Sequence, residues 1–130
     1  MIFMQYLLVT HTLIWFFTNS IMIPNHIYEI LESQDNNIYL SAISFLEITF
    51  KEAKNRLFIG MSIRALYEKA ILKRFGLIPV EIDHLTIYKT IPFIHKDPYD
   101  RLLIAIAKSR DMTIITCDEN IHKYDVKSIW

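Results

Sequence analysis

Residues 95–110 constrain this chain more than any other stretch. They open as His95-Lys96-Asp97-Pro98-Tyr99-Asp100-Arg101 and continue as Leu102-Leu103-Ile104-Ala105-Ile106-Ala107. Six consecutive apolar residues cover every side of a helix, so such a helix must be surrounded on most sides. Asp97 suits the N-cap, where its carboxylate accepts an N–H that the first turn leaves without a partner. Pro98 suits the first helical position, because its missing N–H costs nothing there. Asp100 falls in the first turn, where the helix dipole favours an anion. The expectation is a buried helix over residues 98–110 with acids held rigidly at its start. Capping accounts for both aspartates. The sharper alternative makes Asp100 a metal-binding carboxylate at the edge of a sheet.

The chain has the material to enclose such a helix. Its 130 residues fit one domain, residues 1–130, and 52% of them are hydrophobic. Two glycines argue against glycine-rich phosphate loops and against an all-β fold with many tight turns. Cys117 is the sole cysteine, so no internal disulfide or multi-cysteine zinc site can form, and a reducing, cytoplasmic setting fits. The apolar N-terminus lacks a basic flank and is interrupted by Gln5, Thr10, His11 and Thr12. It therefore reads as a buried strand and helix, and no membrane association is expected. Met4 is a second candidate for the natural start.

Formal net charge is zero, but it is unevenly placed. Residues 1–50 carry no Lys or Arg and four acids, whereas residues 51–74 carry seven basic residues against Glu52 and Glu68. An acidic cleft beside a basic region would suit a metal nuclease, and solvated helix faces are the plainer reading.

Strand-length and helix-length patterns alternate along the whole chain. A strand over residues 5–9 precedes a helix capped by Thr10 or Thr12. A second helix begins near Pro24, and a second strand spans residues 38–41. Ser44-Phe45-Leu46-Glu47 has the form of a capping box opening a helix to about Arg56. A helix over residues 62–75 ends with Gly76 as its C-cap. A third strand over residues 77–82 contains Pro79, which assigns it to a sheet edge. Asp83 then caps a short helix over 84–90. Beyond the helix at 98–110 come a strand over 113–116, a loop over 117–120 and a last strand over 123–129. The pattern predicts a single three-layer α/β/α domain with an open, mainly parallel sheet of four to five strands.

In such sheets ligands bind beyond the carboxyl ends of the strands. Glu47, Asp100 and Asp118 all fall there. Three carboxylates on one rim repel each other unless a cation joins them. Oxygen ligands suit Mg²⁺ or Mn²⁺, ions that can activate water for phosphodiester cleavage. A capping-box role for Glu47 and a turn role for Asp118 are the plainer alternatives. Asp97 is close enough to assist the metal shell. His11 and His95 flank the rim, with structural roles the plainer reading for both.

These motifs together resemble the PIN-domain family in its VapC-like toxin branch. His95-Lys96-Asp97-Pro98-Tyr99-Asp100-Arg101-Leu102-Leu103-Ile104-Ala105 is similar to the family's His-x-Asp-Pro-Phe-Asp-Arg-Leu-Leu-Ile-Ala. Leu7-Leu8-Val9-Thr10-His11-Thr12-Leu13-Ile14-Trp15 is similar to its Leu-Leu-Asp-Thr-His-x-Leu-Leu-Trp. Ser41-Ala42-Ile43-Ser44-Phe45-Leu46-Glu47-Ile48 resembles its second motif, and Ile114–Asp118 its fourth. The resemblance implies a Mg²⁺-dependent ribonuclease, a homodimer, and a small antitoxin as partner. It implies that Asp100, Glu47 and Asp118 bind metal. RNA would then lie on Lys51, Lys54, Arg56 or Arg101. One position departs: Val9 stands where the family has its first metal-binding aspartate. Valine offers no lone pair, so impaired catalysis is expected. The alternative is a catalytically inactive module that binds antitoxin or RNA.

Overall fold

The computed structural model describes residues 4–130; residues 1–3, and the question of Met1 or Met4 as the start, lie outside the described residues. The elements are β1 (Gln5–Leu8), α1 (Thr10–Phe17), α2 (Asn25–Glu32), β2 (Asn37–Ser41), α3 (Ala42–Ala53), α4 (Ile63–Leu72), β3 (Gly76–Ile78), α5 (Ile82–Tyr88), α6 (Pro98–Arg110), β4 (Thr113–Ile115), α7 (Glu119–His122) and β5 (Ser128–Ile129). The strands form one parallel sheet in the order β3-β2-β1-β4-β5. Leu7 lies opposite Tyr39 on one side and Ile114 on the other, so β1 is central. The expected three-layer α/β/α architecture is what forms. No helix among the described residues is long and apolar enough to cross a membrane.

Alternation along β1 assigns the two faces. Tyr6 and Leu8 join Leu13, Ile27, Ile48 and Leu66 in one apolar cluster, under the helices α1–α4. Leu7 and Val9 join the α6 run from Leu102 to Ala107, with Ile121 of α7, in the other. Residues 103–107 are fully buried, as an apolar run without a polar face requires. The chain builds outward from β1 to β3. Helices α5 and α6 then carry it back across the sheet to β4, on the far side of β1. That reversal opens a crevice at the carboxyl ends of β1 and β4.

Several sequence expectations need correction. Thr10 and Thr12 do not cap α1 but lie buried within it, with Val9 at the N-cap. The cap of α3 is Ser41, whose hydroxyl accepts the Ile43 N–H at 3.1 Å. β2 runs into α3 with no loop between them, so Ser44 is interior and Glu47 lies a turn later than a capping-box acid. Gly76 is the first residue of β3 rather than a helix C-cap; Arg74, at φ 62°, takes the left-handed position after α4. Glycine is needed at 76 because a Cβ there would lie 2.7 Å from the Tyr39 ring on the neighbouring strand. β3 is the edge strand expected, but it ends before Pro79. Glu81, not Asp83, caps α5. Residues 119–122 are a short helix, and the last strand shrinks to Ser128–Ile129.

Candidate functional site

The start of α6 follows its sequence closely. Asp97 is the N-cap, and its Oδ1 accepts the Asp100 N–H at 3.0 Å. Pro98 occupies the first helical position. Arg101 points inward and is 1% exposed. Its Nη1 donates to the Pro92 carbonyl at 2.6 Å and its Nη2 to the Ile91 carbonyl at 3.2 Å. Its guanidinium stacks 3.7 Å from the Phe93 ring centroid. Arg101 thus ties the connection from α5 to the start of α6. Buried with its Nη atoms turned to these carbonyls, and with Nε left without a partner inside the fold, its guanidinium is not presented to an RNA phosphate at the surface, against that expectation.

The tied connection delivers His95 to the rim. Its Nδ1 lies 2.8 Å from the Tyr124 hydroxyl, and its backbone N–H donates to the same oxygen at 3.1 Å. Its Nε2 lies 3.1 Å from Asp100 Oδ2. Asp118 reaches the same point from the end of β4. Thr116 Oγ1 accepts its N–H at 3.0 Å, and its own Oδ1 caps α7 by accepting the Asn120 N–H at 2.8 Å. His122 steadies that loop by bridging the Thr116 carbonyl and the Ser128 hydroxyl. One ligand atom each from His95, Asp100 and Asp118 lie within 4.8 Å of one another.

This corner is electrostatically unbalanced. Burial pushes the Asp100 carboxyl up to about 6, and the charges of Asp97, Glu47 and Asp118 add to the rise while the His95 hydrogen bond opposes it. A group so placed gains from a cation. Two carboxylates and one imidazole nitrogen are a donor set that a divalent metal accepts, so the residues fit one.

Glu47 belongs to a different arrangement. It is 2% exposed. Its Oε1 accepts from the Thr10 hydroxyl at 2.6 Å and its Oε2 from Lys51 Nζ at 2.5 Å. The Thr10 hydroxyl also lies 3.1 Å from Ser44 Oγ. Burial works against the Lys51 ammonium, but the Glu47 hydrogen bond and the charges of Glu47, Asp97 and Asp100 outweigh it and raise its pKa. Glu47 therefore bears on Asp100 through charge while standing outside the close group of three. Asp97 does the same from the helix cap.

Val9 follows β1 as the N-cap residue of α1, next in the chain to Thr10, the partner of Glu47. It is 3% exposed and packs in the apolar cluster beneath α6. Lys54 and Arg56 are exposed beyond the end of α3, with Lys54 Nζ 4.9 Å from the Phe50 ring centroid. His11 is exposed and packs on Trp15, 5.8 Å between centroids. The sequence places Glu47, Asp100 and Asp118 on one rim and does not distinguish the two histidines; the structure brings Asp100 and Asp118 together with His95 and keeps Glu47 outside that group. Tyr124, 29 residues from His95, separates the two histidines, and no local pattern announces a contact of that range. Thr10 escaped for the same reason: its partner Glu47 is 37 residues away.

Fold and site together define a parallel α/β domain with an acidic corner where the strand order reverses. The PIN-domain family model matches residues 6–127, and the chain belongs to that family. No curated protein matches it. Among solved structures it is similar to VapBC2 from Rickettsia felis bound to a DNA fragment from their promoter, at 17% identity and TM-score 0.71, over 97% of this chain and 98% of that one. It is similar to DNA-bound VapBC from Salmonella typhimurium, at 16% identity and TM-score 0.71, over 97% of both chains. It is also similar to FitAcB from Neisseria gonorrhoeae, at 23% identity and TM-score 0.63, over 96% of both. These likenesses establish a shared fold.

Proposed function

We propose that the chain is the nuclease toxin of a toxin–antitoxin pair, an endoribonuclease using Mg²⁺ or Mn²⁺, impaired because Val9 replaces its first metal-binding acid. The observation that carries this is the corner of His95, Asp100 and Asp118 at the strand reversal of a PIN domain. The VapC-like motifs and the VapBC and FitAB neighbours support the toxin assignment. By the same analogy, an antitoxin is the partner, the toxin is a homodimer, and the setting is the cytoplasm.

Asp100 and Asp118 would hold the metal, with Glu47 and Asp97 contributing charge close by. A bound divalent ion supplies an activated water and stabilises negative charge on the phosphodiester. Asp97 fixes the start of α6, and so fixes the Asp100 backbone, before any ligand arrives. Thr10 and Lys51 hold Glu47 inside the rim. Lys54 and Arg56 extend a positive edge from the end of α3 along which the RNA backbone would lie.

The second reading, an inactive module that binds antitoxin or RNA, is favoured by one observation. Val9 packs fully into the apolar cluster, as a position adapted to a hydrophobic residue would. RNA cleavage with Mg²⁺ or Mn²⁺ separates the two. The chain itself, Val9→Asp, and Val9→Asp combined with Asp100→Asn are compared. Cleavage by Val9→Asp alone is the expected result. Equal cleavage by the unsubstituted chain would remove the role assigned to position 9. Silence from all three would favour the binding module.

A further inference from the structure

We propose that His95 is a direct metal ligand in this chain, and that its nitrogen turns the centre's preference from Mg²⁺ toward Mn²⁺. The inference rests on the metal-site reading above and adds the identity of one ligand and the ion it selects.

The ligand count requires something of this kind. Position 9 offers no donor atom, and Val9 is turned into the apolar cluster. Glu47 has both oxygens engaged by Thr10 and Lys51. What converges is His95, Asp100 and Asp118, one ligand atom each within 4.8 Å. Of these only His95 brings nitrogen. Mg²⁺ demands oxygen ligands in near-ideal octahedral geometry, whereas imidazole suits transition-metal ions. Replacing one carboxylate of an all-oxygen site by an imidazole weakens the hold on Mg²⁺ more than that on Mn²⁺.

His95 is also built as ligands usually are, with its second ring nitrogen held by a partner. Its Nδ1 meets the Tyr124 hydroxyl at 2.8 Å, and that hydroxyl also accepts from the His95 backbone N–H and from Arg101 Nη1 at 3.3 Å. A phenol both donates and accepts. In the metal-free chain it donates to Nδ1 while Nε2–H faces Asp100; when the Nε2 lone pair faces a cation it accepts from Nδ1–H in place of the longer Arg101 Nη1 contact and turns its own hydrogen to the His95 carbonyl, 3.4 Å away. The ring stays in place in both tautomers, at the cost of the weaker Arg101 contact to the hydroxyl. The His95 side chain is 14% exposed, enough for an ion to reach it and little enough to hold it in place.

The test is binding, read without RNA. Mn²⁺ and Mg²⁺ are titrated calorimetrically into the full chain and into His95→Asn, Tyr124→Phe and Asp100→Asn. Pulsed EPR of the Mn²⁺-loaded chain looks for nitrogen coupling, with ¹⁵N-histidine labelling to identify its source. The unsubstituted chain should bind Mn²⁺ more tightly than Mg²⁺ and show histidine nitrogen coupling. His95→Asn should lose the coupling and about 10- to 100-fold in Mn²⁺ affinity, with a smaller loss for Mg²⁺, and Tyr124→Phe should fall between. If His95→Asn does not fold, the labelled spectrum of the unsubstituted chain decides alone. Absence of nitrogen coupling, with binding still lost in Asp100→Asn, would overturn the role of His95 and leave the metal centre standing. Equal affinity for the two ions would overturn the selectivity. Mn²⁺ binding by Asp100→Asn as tight as by the unsubstituted chain would overturn the centre itself.

Discussion

The two acidic places at this rim, Glu47 and the Asp100–Asp118 corner, are satisfied in opposite ways. Glu47 is almost completely buried and internally neutralised: a hydroxyl and an ammonium from the protein occupy its oxygens. Asp100 is partly buried among other acids, with a histidine as its side-chain partner, and its affinity for a proton is raised accordingly. Their surroundings separate the carboxylate that is already matched from the one that an external cation would complete. A buried acid with its own counter-charge is complete in the folded chain. A partly buried acid among acids is complete only when a proton or a metal joins it.

The largest effect should come from removing that demand. In the Val9→Asp background, Asp100→Asn should reduce RNA cleavage by at least about 100-fold, more than loss of an outer-shell partner costs. Divalent-ion affinity measured by calorimetry should fall with it. Next, Val9→Asp should destabilise the metal-free protein by about 2 kcal/mol in denaturant titration at neutral pH, because it buries a charge beside other acids. Added Mn²⁺ should recover most of that loss. If the metal-free protein is unaffected, position 9 is not coupled to the corner.

The pH dependence has a fixed sign. Asp100 rises from 3.8 to about 6 in the folded chain. The folded state therefore binds its proton more tightly than the unfolded state does. That contribution to metal-free stability is full below about 4 and is lost as pH rises through about 6. Metal and proton compete for the same oxygens, so Mn²⁺ affinity should drop by up to about tenfold per pH unit below 6. Thermal melts and calorimetry between pH 4 and pH 7, about the useful range, read both trends. Asp100→Asn should flatten them.

The smaller effects lie at the self-neutralised acid. Glu47→Gln removes charge but keeps the shape and the Thr10 contact, and should lower ion affinity by about fivefold, since charge acts here at longer range. Lys51→Met should raise ion affinity by about two- to threefold by freeing a Glu47 oxygen. It should cost about 1–3 kcal/mol of metal-free stability, because it leaves the buried Glu47 carboxylate without its counter-charge. A Glu47 effect as large as that of Asp100 would erase the distinction between the two places.

What could be read from the sequence was what is local in it. Asp97, Pro98 and the apolar run specify the start and burial of α6 within a few residues, and the structure has them as expected. The alternation of elements specified the parallel three-layer architecture. The misreadings came where distant contacts decide. Two serines three residues apart both offer an N-cap, and only the direct joining of β2 to α3 selects Ser41. Gly76 looks like a helix terminator until the Tyr39 ring is found against it. Arg101 looks like a phosphate ligand in a motif of charged residues, but the neighbouring Ile91 and Pro92 carbonyls claim it. His95 could not be ranked above His11 without Tyr124.

The most direct measurement is anomalous diffraction from a crystal of this chain soaked in Mn²⁺. A peak is expected between Asp100 and Asp118, within bonding distance of one oxygen of each. A peak on Glu47 with Asp100 and Asp118 empty, or no peak at this rim at Mn²⁺ concentrations that saturate the protein in solution, would contradict it.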